Sequence, residues 1–240
     1  MIKKKPGKHI GDSDDDGKSV DNSRLDSKLS LRRHFIERYH LTDHPFIFDA
    51  CQGSGVMWRH LRKEFAPAWQ GKERYFGVDL KAKKGRLRAD SAQVLAQPGW
   101  EFGIIDIDTY GLPWDHFKGV VMHMGDDPIT VFLTIGSVSH GGSASMSNFV
   151  AEAMGLRFEN VEVNTVNYHW PVFSGAAARS LEYCLGWAYQ KGIAIDYSAE
   201  SPPGTHTRYL GLRIHRAKPG EILPGYDENN NVSTIVVRAA

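Results

Sequence analysis

The sequence is poor in cysteine and has no long apolar segment, and both absences narrow what the chain can be. Its 240 residues include two cysteines, Cys51 and Cys184, which stand too far apart for a metal-binding or redox spacing and favour a reducing compartment. No apolar run approaches the roughly 18 residues of a membrane-spanning helix, and the N-terminus lacks the apolar core of a signal peptide. We therefore predict a soluble, cytoplasmic protein.

A strong net charge and internal repeats are also missing. The formal net charge of +1 gives no overall indication of a partner, and no period of roughly 20–50 residues suggests a solenoid or propeller. Hydrophobic residues make up 41% of the chain, which is enough for the core of one medium-sized α/β domain. Because residues 1–27 contain little apolar material, they are predicted to form a flexible polar tail, followed by a domain over 28–217 and a C-terminal extension over 218–240.

What the sequence does contain is a short apolar run that leads into a glycine-rich turn. Phe46–Gly55 reads FIFDACQGSG, and an amphipathic run begins directly after it at Val56. This order predicts the first strand–turn–helix unit of a nucleotide-binding α/β sheet. In such a turn Gly53 and Gly55 let the backbone pass close to a ligand, where a Cβ would collide. The start of the following helix offers further N–H donors.

Two kinds of ligand could use this turn. A dinucleotide requires the pattern G-x-G-x-x-G, but the third position here is Trp58, and Asp49 would repel a pyrophosphate. A carboxylate at that point suits a ligand with an ammonium group. The order D-x-x-x-G-S-G resembles the first motif of class I methyltransferases, which bind S-adenosylmethionine (SAM). Cys51 and Ser54 are similar to residues found there in nucleic-acid amino-methyltransferases. The alternative is a glycine-rich turn in an unrelated α/β protein.

A second acidic strand end strengthens the resemblance to proteins that bind an adenosine cofactor. The apolar run Arg74–Leu80 reads RYFGVDL, and its Asp79 follows Gly55 by 24 positions. In both Rossmann-like cofactor families, an acidic residue at this strand end accepts hydrogen bonds from the ribose hydroxyls. Asp90-Ser91 matches the third motif of the methyltransferases, which holds the amine edge of adenine, although an Asp before Ser can equally be a helix cap.

A cluster of basic residues lies between these two motifs. It consists of Lys81, Lys83, Lys84, Arg86 and Arg88. The cluster is either a solvated loop or a phosphate-binding strip at the rim of the cofactor cleft, where an RNA or DNA substrate could lie. Only seven residues separate Asp79 from the next predicted strand, around 87–89, so the helix usual at this point must be missing or cut to a loop.

A third strand end carries the candidate catalytic residues. The stretch Phe102–Gly111 reads FGIIDIDTYG, and its carboxylates Asp106 and Asp108 precede Tyr110. Asp108-Thr109-Tyr110-Gly111 resembles the D-P-F-G motif of tRNA guanine-N2 dimethyltransferases, with Thr109 in place of proline. The resemblance implies that Asp108 aligns an acceptor amine and that Tyr110 stacks on the acceptor ring. The alternative is that Asp108 caps a turn and Tyr110 belongs to the core.

The remaining pattern predicts helices and a closing hairpin around these motifs. A surface helix is expected from Ser30 onward, and Trp58, Leu61 and Phe65 indicate a helix that Pro67 ends. The runs Ile193–Tyr197 and Thr207–Ile214 predict an antiparallel hairpin, a feature that distinguishes class I methyltransferases from other Rossmann-like domains. We expect a three-layer α/β sandwich with a seven-stranded, mostly parallel sheet and a terminal antiparallel hairpin.

Three functions are compatible with this fold, because fold alone does not determine function. The first is a SAM-dependent methyltransferase that acts on an amine nitrogen of RNA or DNA. The second is a SAM-dependent enzyme that acts on a small molecule or a protein, and the third is a non-catalytic SAM-fold binding module. The retained Asp49, Gly53, Gly55 and Asp79 argue against the third, whereas the basic cluster and the Asp108 turn favour the first.

Overall fold

The computed structural model describes residues 24–81, 87–109, 111–136, 148–153, 176–201, 207–226 and 232–236. Its helices are α1 (Leu25–Tyr39), α2 (Val56–Trp69), α3 (Ser91–Leu95), α4 (Trp114–His123), α5 (Asn148–Ala153) and α6 (Ala176–Gln190). Its strands are β1 (Phe46–Asp49), β2 (Arg74–Asp79), β3 (Leu87–Arg88), β4 (Ile104–Ile107), β5 (Ile129–Gly136), β6 (Ile193–Glu200), β7 (Thr207–Arg216), β8 (Ile222–Tyr226) and β9 (Val232–Val236). No helix in these ranges has the length and apolar character needed to cross a membrane.

Seven of the strands form one mixed sheet. Their order is β3-β2-β1-β4-β5-β7-β6, and β7 runs antiparallel to both of its neighbours, while the other neighbouring strands pair in parallel. The predicted seven-stranded sheet with an antiparallel hairpin is therefore confirmed, and the hairpin strands are longer than the sequence suggested. In the C-terminal extension, β8 and β9 form a separate two-stranded antiparallel ribbon.

Alternate residues of the central strands point into two different cores, which makes the molecule three layers thick. Ile47 and Ile104 pack with α1 and α2 on one face of the sheet. Their chain neighbours Phe48 and Ile105 pack with α3, α4, α5 and α6 on the other face. Because side chains alternate along a strand, a strand buried on both faces is apolar at nearly every position, as β5 is.

Helix α1 differs from the prediction of a surface helix. It begins at Leu25, inside the segment predicted to be a polar tail, and residues 1–23 of that segment lie outside the described ranges. Phe35 and Ile36 are fully buried against the sheet. A Cβ on Gly211 of β7 would collide with the ring of Phe35, so this glycine makes room for the helix. Helix α1 is thus part of the core.

Helix α2 also differs from its prediction, because it continues through Pro67 to Trp69. A proline inside a helix removes one hydrogen bond to the preceding turn. Here the last turn is held by Trp69, whose side chain is fully buried and whose indole N–H donates to the carbonyl oxygen of His40. The gain from that burial and hydrogen bond offsets the missing backbone hydrogen bond.

Helix α4 was not predicted, although its sequence carries a signal. Trp114, Phe117, Val120 and Val121 are buried and recur at helical spacing. The residues before α4 form the Asp108 turn, and the helical pattern begins only beyond that motif. Gly119 lets α4 approach α3 closely, since a Cβ there would lie 3.1 Å from backbone and side-chain atoms of Leu95.

The strands that carry the motif residues all end at one edge of the sheet. Parallel strands β1, β2, β4 and β5 have their carboxyl ends there, and β1 lies next to both β2 and β4, where the chain order of the sheet reverses. Such a switch point is where open α/β sheets bind ligands. The connection between β2 and β3 is short, and β3 nevertheless pairs in parallel with β2.

Candidate functional site

A cleft of about 840 Å³ opens at this carboxyl edge, a volume typical of small-molecule sites. It is lined by eight of the residues singled out from the sequence: Asp49, Cys51, Gly53, Gly55, Asp79, Asp90, Ser91 and Asp108. The structure therefore brings together residues that are spread over 60 positions of the chain. Tyr110 lies outside the described residues, so its predicted stacking role stays a prediction.

The glycine turn after β1 depends on backbone conformation. Gly53 and Gly55 adopt φ values of +48° and +62°, in the left-handed region that side chains with a Cβ disfavour. A Cβ on Gly53 would meet only the carbonyl oxygen of Cys51, at 3.9 Å. Glycine is therefore required here by the backbone conformation of the turn, and not by the space for a ligand that was predicted.

Asp79 ties the end of β2 to this turn. One carboxylate oxygen accepts the backbone N–H of Gly53 at 2.9 Å, and the other accepts that of Lys81 at 2.8 Å. Each carboxylate oxygen can accept more than one hydrogen bond, so acceptor capacity remains toward the cleft. The carboxylate is held in a fixed orientation next to the glycine turn, as a group that binds ribose hydroxyls would need to be.

Asp49 is held by a short chain of hydrogen bonds that the sequence did not reveal. Its carboxylate accepts from the Tyr75 hydroxyl at 2.7 Å, and that hydroxyl accepts from the Gln52 amide at 3.1 Å. Gly77 makes the chain possible, because a Cβ there would lie 2.6 Å from the Gln52 amide nitrogen and 2.7 Å from the Tyr75 hydroxyl. A glycine in the middle of a strand was the available signal.

The same group contains two acceptors whose surroundings, within the described part of the chain, do not satisfy them fully. Burial and, after it, the neighbouring Asp106 carboxylate raise the pKa of Asp49 to about 8. The carbonyl oxygen of the Gln52 side chain is buried and has no hydrogen-bond partner among the described residues. A buried acceptor without a donor is unfavourable. This end of the cleft is thus suited to a ligand group that donates hydrogen bonds and carries positive charge.

Asp106 is buried away from the cleft and paired with an arginine of α1. The Arg32 side chain donates through Nε and Nη2 to the two oxygens of Asp106, at 2.8 and 2.6 Å, and the Trp58 indole N–H donates at 2.7 Å. Burial opposes the charge on Arg32, but the Asp106 carboxylate outweighs it and raises the pKa of Arg32. Asp106 therefore anchors α1 and α2 to the sheet.

Asp108 faces the cleft and forms an ion pair with a second basic residue of α1, Lys28. Lys28 Nζ donates to both carboxylate oxygens, at 2.8 and 2.6 Å, and the Thr134 hydroxyl donates to Oδ1 at 2.6 Å. Burial alone would raise the pKa of Asp108, but Lys28 and then Arg32 outweigh burial and lower it below its ordinary value. Asp108 is consequently an ionised hydrogen-bond acceptor.

The two cations that hold these acids were missed by the sequence reasoning. Lys28 and Arg32 lie four positions apart on α1, in line with the buried Phe35, so they share the face that packs on the sheet. Basic residues aligned with the apolar face of a helix were a usable signal. Their partners lie 74 and 80 positions away, and no local pattern identifies them.

The opposite wall of the cleft is formed by the start of α3. Asp90 caps this helix, because its Oδ1 accepts the backbone N–H of Ala92 at 2.9 Å, which is the alternative role that the sequence allowed. The hydroxyl of Ser91 is hydrogen-bonded to His116 Nε2 at 2.8 Å. Burial lowers the pKa of His116, so this imidazole is neutral at pH 7 and gives the wall a polar, uncharged surface.

Cys51 contributes no reactive thiolate to the cleft. Burial, followed by the nearby carboxylates, raises the pKa of its thiol to about 12. Since the thiolate is the nucleophilic form, the side chain acts here as a small neutral group in the turn.

Two residues of the predicted basic strip are described, and both are exposed. Lys81 lines the cleft two positions after Asp79, and Arg88 lies in β3 opposite Asp79 in the strand pairing. Lys83, Lys84 and Arg86 lie outside the described residues. Contact of this strip with RNA or DNA stays a prediction.

Comparisons with known proteins give structural likenesses only. No protein-family model and no curated protein matches the sequence. Among solved structures, Trm1 from Pyrococcus horikoshii in complex with SAM is 13% identical with a TM-score of 0.46, over 90% of this chain and 63% of that chain. M. jannaschii TYW2 in complex with AdoMet is 9% identical with a TM-score of 0.43, over 79% of this chain and 76% of that chain.

A third likeness among solved structures is to a porphyrin methyltransferase. Magnesium protoporphyrin IX methyltransferase (ChlM) from Synechocystis PCC 6803 with bound SAH is 12% identical with a TM-score of 0.39, over 79% of this chain and 82% of that chain. The chain spans less than two thirds of the Trm1 chain. At TM-scores below 0.5 these likenesses carry no argument about function, which has to come from the cleft itself.

Proposed function

We propose that the chain is a SAM-dependent methyltransferase that transfers a methyl group to an amine nitrogen of a nucleic-acid base. One observation carries the proposal. At the switch point of the sheet, the left-handed glycine turn, the Asp49 carboxyl with its hydrogen-bond chain and the oriented Asp79 carboxylate all line one cleft. Each of these features has a matching group in SAM.

The charges of the cleft fit such a cofactor. At the end of the cleft formed by β1 and β4, the three carboxylates of Asp49, Asp106 and Asp108 outnumber the two cations of Lys28 and Arg32 by one negative charge when all five groups are ionised. SAM carries a sulfonium, an ammonium and a carboxylate, and its net positive charge would balance that excess. When bound, SAM supplies an activated methyl group.

Several groups of this chain would hold the cofactor. Asp49 and the unpartnered Gln52 oxygen would accept from the ammonium group, and Asp79 would accept from the ribose hydroxyls. Leu80, whose side chain is strongly exposed next to Asp79, together with Asp90 and Ser91, would border the adenine. The roles of Asp49, Asp79, Asp90 and Ser91 follow the resemblance in sequence, and all four residues line the cleft.

Asp108 would position the methyl acceptor. An exocyclic amine needs alignment for in-line attack more than it needs a strong base. The ionised Asp108 would accept a hydrogen bond from the amine, keep its lone pair directed at the methyl group, and stabilise the positive charge that develops on nitrogen. The lowered pKa of Asp108 supports this acceptor role over that of a general base.

A nucleic-acid substrate is supported by the basic residues at the rim. Lys81 and Arg88 are exposed, and Lys81 borders the cleft. With Lys83, Lys84 and Arg86 of the same segment, they would contact phosphates and so position a base over Asp108. A small-molecule or protein substrate would not need such a strip.

Two measurements test the proposal together. Calorimetry should show binding of SAM to the wild-type protein, and transfer of a radiolabelled methyl group should then be assayed on pools of RNA, DNA and protein. We expect label in a nucleic acid. The absence of SAM binding would overturn the cofactor assignment, whereas label confined to protein or to small molecules would favour the alternative substrate classes.

A further inference from the structure

The ion pair between Lys28 and Asp108 supports an inference about the acceptor, which rests on the proposed methyltransferase function. We propose that this pair recognises a neutral aromatic amine that has a hydrogen-bond acceptor on the neighbouring ring atom, as aminated nucleobases do. Aliphatic amines are excluded by the same pair. Lys28 thereby becomes a specificity-determining residue, although it lies in a helix outside the motifs that indicate the cofactor.

In this geometry Lys28 keeps one hydrogen-bond donor, and Asp108 one acceptor position, that the ion pair does not use. Lys28 Nζ has three N–H donors and directs bonds at the two oxygens of Asp108. Oδ1 of Asp108 also accepts from Thr134, whereas Oδ2 accepts from Lys28 alone among the described residues. The side chains are 11% and 21% exposed, and both line the cleft. An approaching ligand therefore meets, side by side, an acceptor position of Asp108 and an N–H of Lys28 that no hydrogen bond within the described ranges uses.

This pattern is complementary to the edge of an aminated base. Adenine, for example, presents an amino donor beside a ring nitrogen that accepts. The amino group would donate to Asp108 Oδ2, and the adjacent ring nitrogen would accept from Lys28 Nζ. The Tyr209 ring lies 5.2 Å from Lys28 Nζ and restricts the directions in which the lysine can move. The two hydrogen bonds together would fix the plane of the base.

Charge accounts for the exclusion of aliphatic amines. An alkyl ammonium has a pKa of about 10.4 and must lose a proton before its nitrogen can attack. Asp108, held ionised by Lys28 and Arg32, is too weak a base to remove that proton. Of the other acidic groups nearby, Asp49 would face the cofactor, and Asp106 is occupied by Arg32. Lys28 would in addition repel a second ammonium.

An aromatic amine avoids both difficulties because it is neutral at pH 7. Its lone pair forms the new N–C bond while the S–C bond of the sulfonium breaks and that electron pair stays on sulfur. The nitrogen then carries the positive charge, which Asp108 stabilises, and its proton leaves to water. No base is required, since a methylated aromatic ammonium is a strong acid.

The first experiment uses the wild-type protein with labelled SAM. The acceptors are total RNA, heat-denatured DNA, poly(U) and polylysine, and the labelled nucleic acids are digested to nucleosides. We expect label in adenine, cytosine or guanine and none in uracil, ribose or polylysine. Poly(U) is the matched control, because it has the same phosphates but no exocyclic amine. Comparable labelling of polylysine or of uridine would overturn the inference.

The second experiment changes the lysine. Lys28→Met should lower methyl transfer by about 10²–10³ and leave SAM affinity within about threefold, whereas Lys28→Arg should recover part of the transfer. Arg33→Met is the control, because Arg33 lies on the same helix but pairs with the exposed Glu64. Unchanged transfer in Lys28→Met would overturn the inference.

The failure of this inference can be told from failure of the proposed function. A wild-type protein that binds no SAM refutes the methyltransferase assignment, and calorimetry shows this without any acceptor. A protein that binds SAM but labels no nucleobase refutes the acceptor inference together with the nucleobase part of the proposed function, and leaves the cofactor assignment standing. If nucleobases are labelled and Lys28→Met transfers as well as the wild type, only the inference about Lys28 fails. If Lys28→Met does not fold, the acceptor panel on the wild-type protein still decides the question.

Discussion

Arg32 and Asp106 form a bidentate ion pair in the interior, where their side chains are 1% and 0% exposed. The pair joins a helix that precedes the glycine motif to the strand that carries the candidate catalytic acid. A charge buried this deeply is tolerated only when it is paired and fully hydrogen-bonded. The third donor, the Trp58 indole, completes the set around Asp106.

We predict that Arg32→Met lowers the free energy of unfolding by roughly 3–5 kcal/mol, because it leaves the Asp106 carboxylate buried without its counterion. The double variant Arg32→Met/Asp106→Leu should lose much less, since it removes both charges. Denaturant unfolding of the three proteins checks this, with Arg33→Met as the exposed control. Equal losses in the single and double variants would show that packing, and not charge, determines the effect.

The raised pKa of Asp49 gives the stability of the free protein a definite pH dependence. The pKa is about 8 in the folded state against an ordinary value of 3.8, so folding takes up a proton between these two pH values. The contribution of Asp49 to the free energy of unfolding should therefore be greatest below pH 4. It should decrease as the pH rises toward 8, by at most about 1.4 kcal/mol per pH unit. Asp49→Asn should flatten this slope in urea unfolding between pH 5 and 8. If the free energy of unfolding of Asp49→Asn depends on pH as steeply as that of the wild type, the proton taken up on folding binds to another group.

The same group should couple cofactor binding to proton release. At pH 7 the carboxyl of Asp49 is mostly protonated in the free protein, and a cationic ligand would favour its ionised form. We expect binding of SAM at pH 7 to release up to about one proton, measured by calorimetry in buffers of different ionisation enthalpy. Asp49→Asn has no carboxyl proton to release at this position, so its binding enthalpy should not depend on the ionisation enthalpy of the buffer. An uncharged adenosine should release less.

Asp79→Ala should weaken SAM binding, because it removes charge-assisted hydrogen bonds to the ribose worth roughly 1.5–3 kcal/mol each. The structure adds a second cause, since Asp79 also accepts the backbone N–H groups of Gly53 and Lys81 and so holds the glycine turn. Calorimetry should show at least a tenfold loss of affinity. Glu101→Ala, at the opposite edge of the sheet with an exposed side chain, is the control. Unchanged affinity in Asp79→Ala would remove Asp79 from the site.

Replacing Lys81, Lys83 and Lys84 by Ala should weaken nucleic-acid binding and reduce its dependence on salt. Each lost phosphate contact lowers the slope of log K against log salt by about one unit. SAM affinity should hardly change. Arg59→Ala, which removes a charge from the exposed surface of α2, is a control for net charge. Equal slopes in the mutant and the wild type would mean that the strip is only a solvated loop.

How much the sequence predicted depended on how local each feature is. The strand–turn–helix order around Gly53 and Gly55 involves neighbouring residues, and the structure shows the expected turn. Asp49, Asp79 and Asp108 could be placed at one edge because parallel strands all end there. Periodicity also gave the order of most strands and helices. These inferences need only the backbone pattern and general rules of α/β sheets.

The contacts that set the charge of the cleft could not be predicted in this way. Lys28 and Arg32 meet their partners across 80 and 74 positions, and the position of α1 on the sheet decides both contacts. The hydrogen-bond chain from Gln52 to Asp49 depends on an absent side chain at Gly77. Pro67 was misjudged because the burial of Trp69, which keeps the last turn of α2, is a tertiary effect.

The position of α1 in the chain has a consequence for synthesis on the ribosome. Lys28 and Arg32 are made first, and the acids that they pair with follow 80 and 74 residues later. At about 5–20 residues per second, the helix waits several seconds with both cations unpaired in water. During that interval there is no sheet against which its apolar face can pack. The N-terminal helix can therefore dock only after β4 has emerged, and the charged wall of the cleft is assembled late, however early its first half is translated.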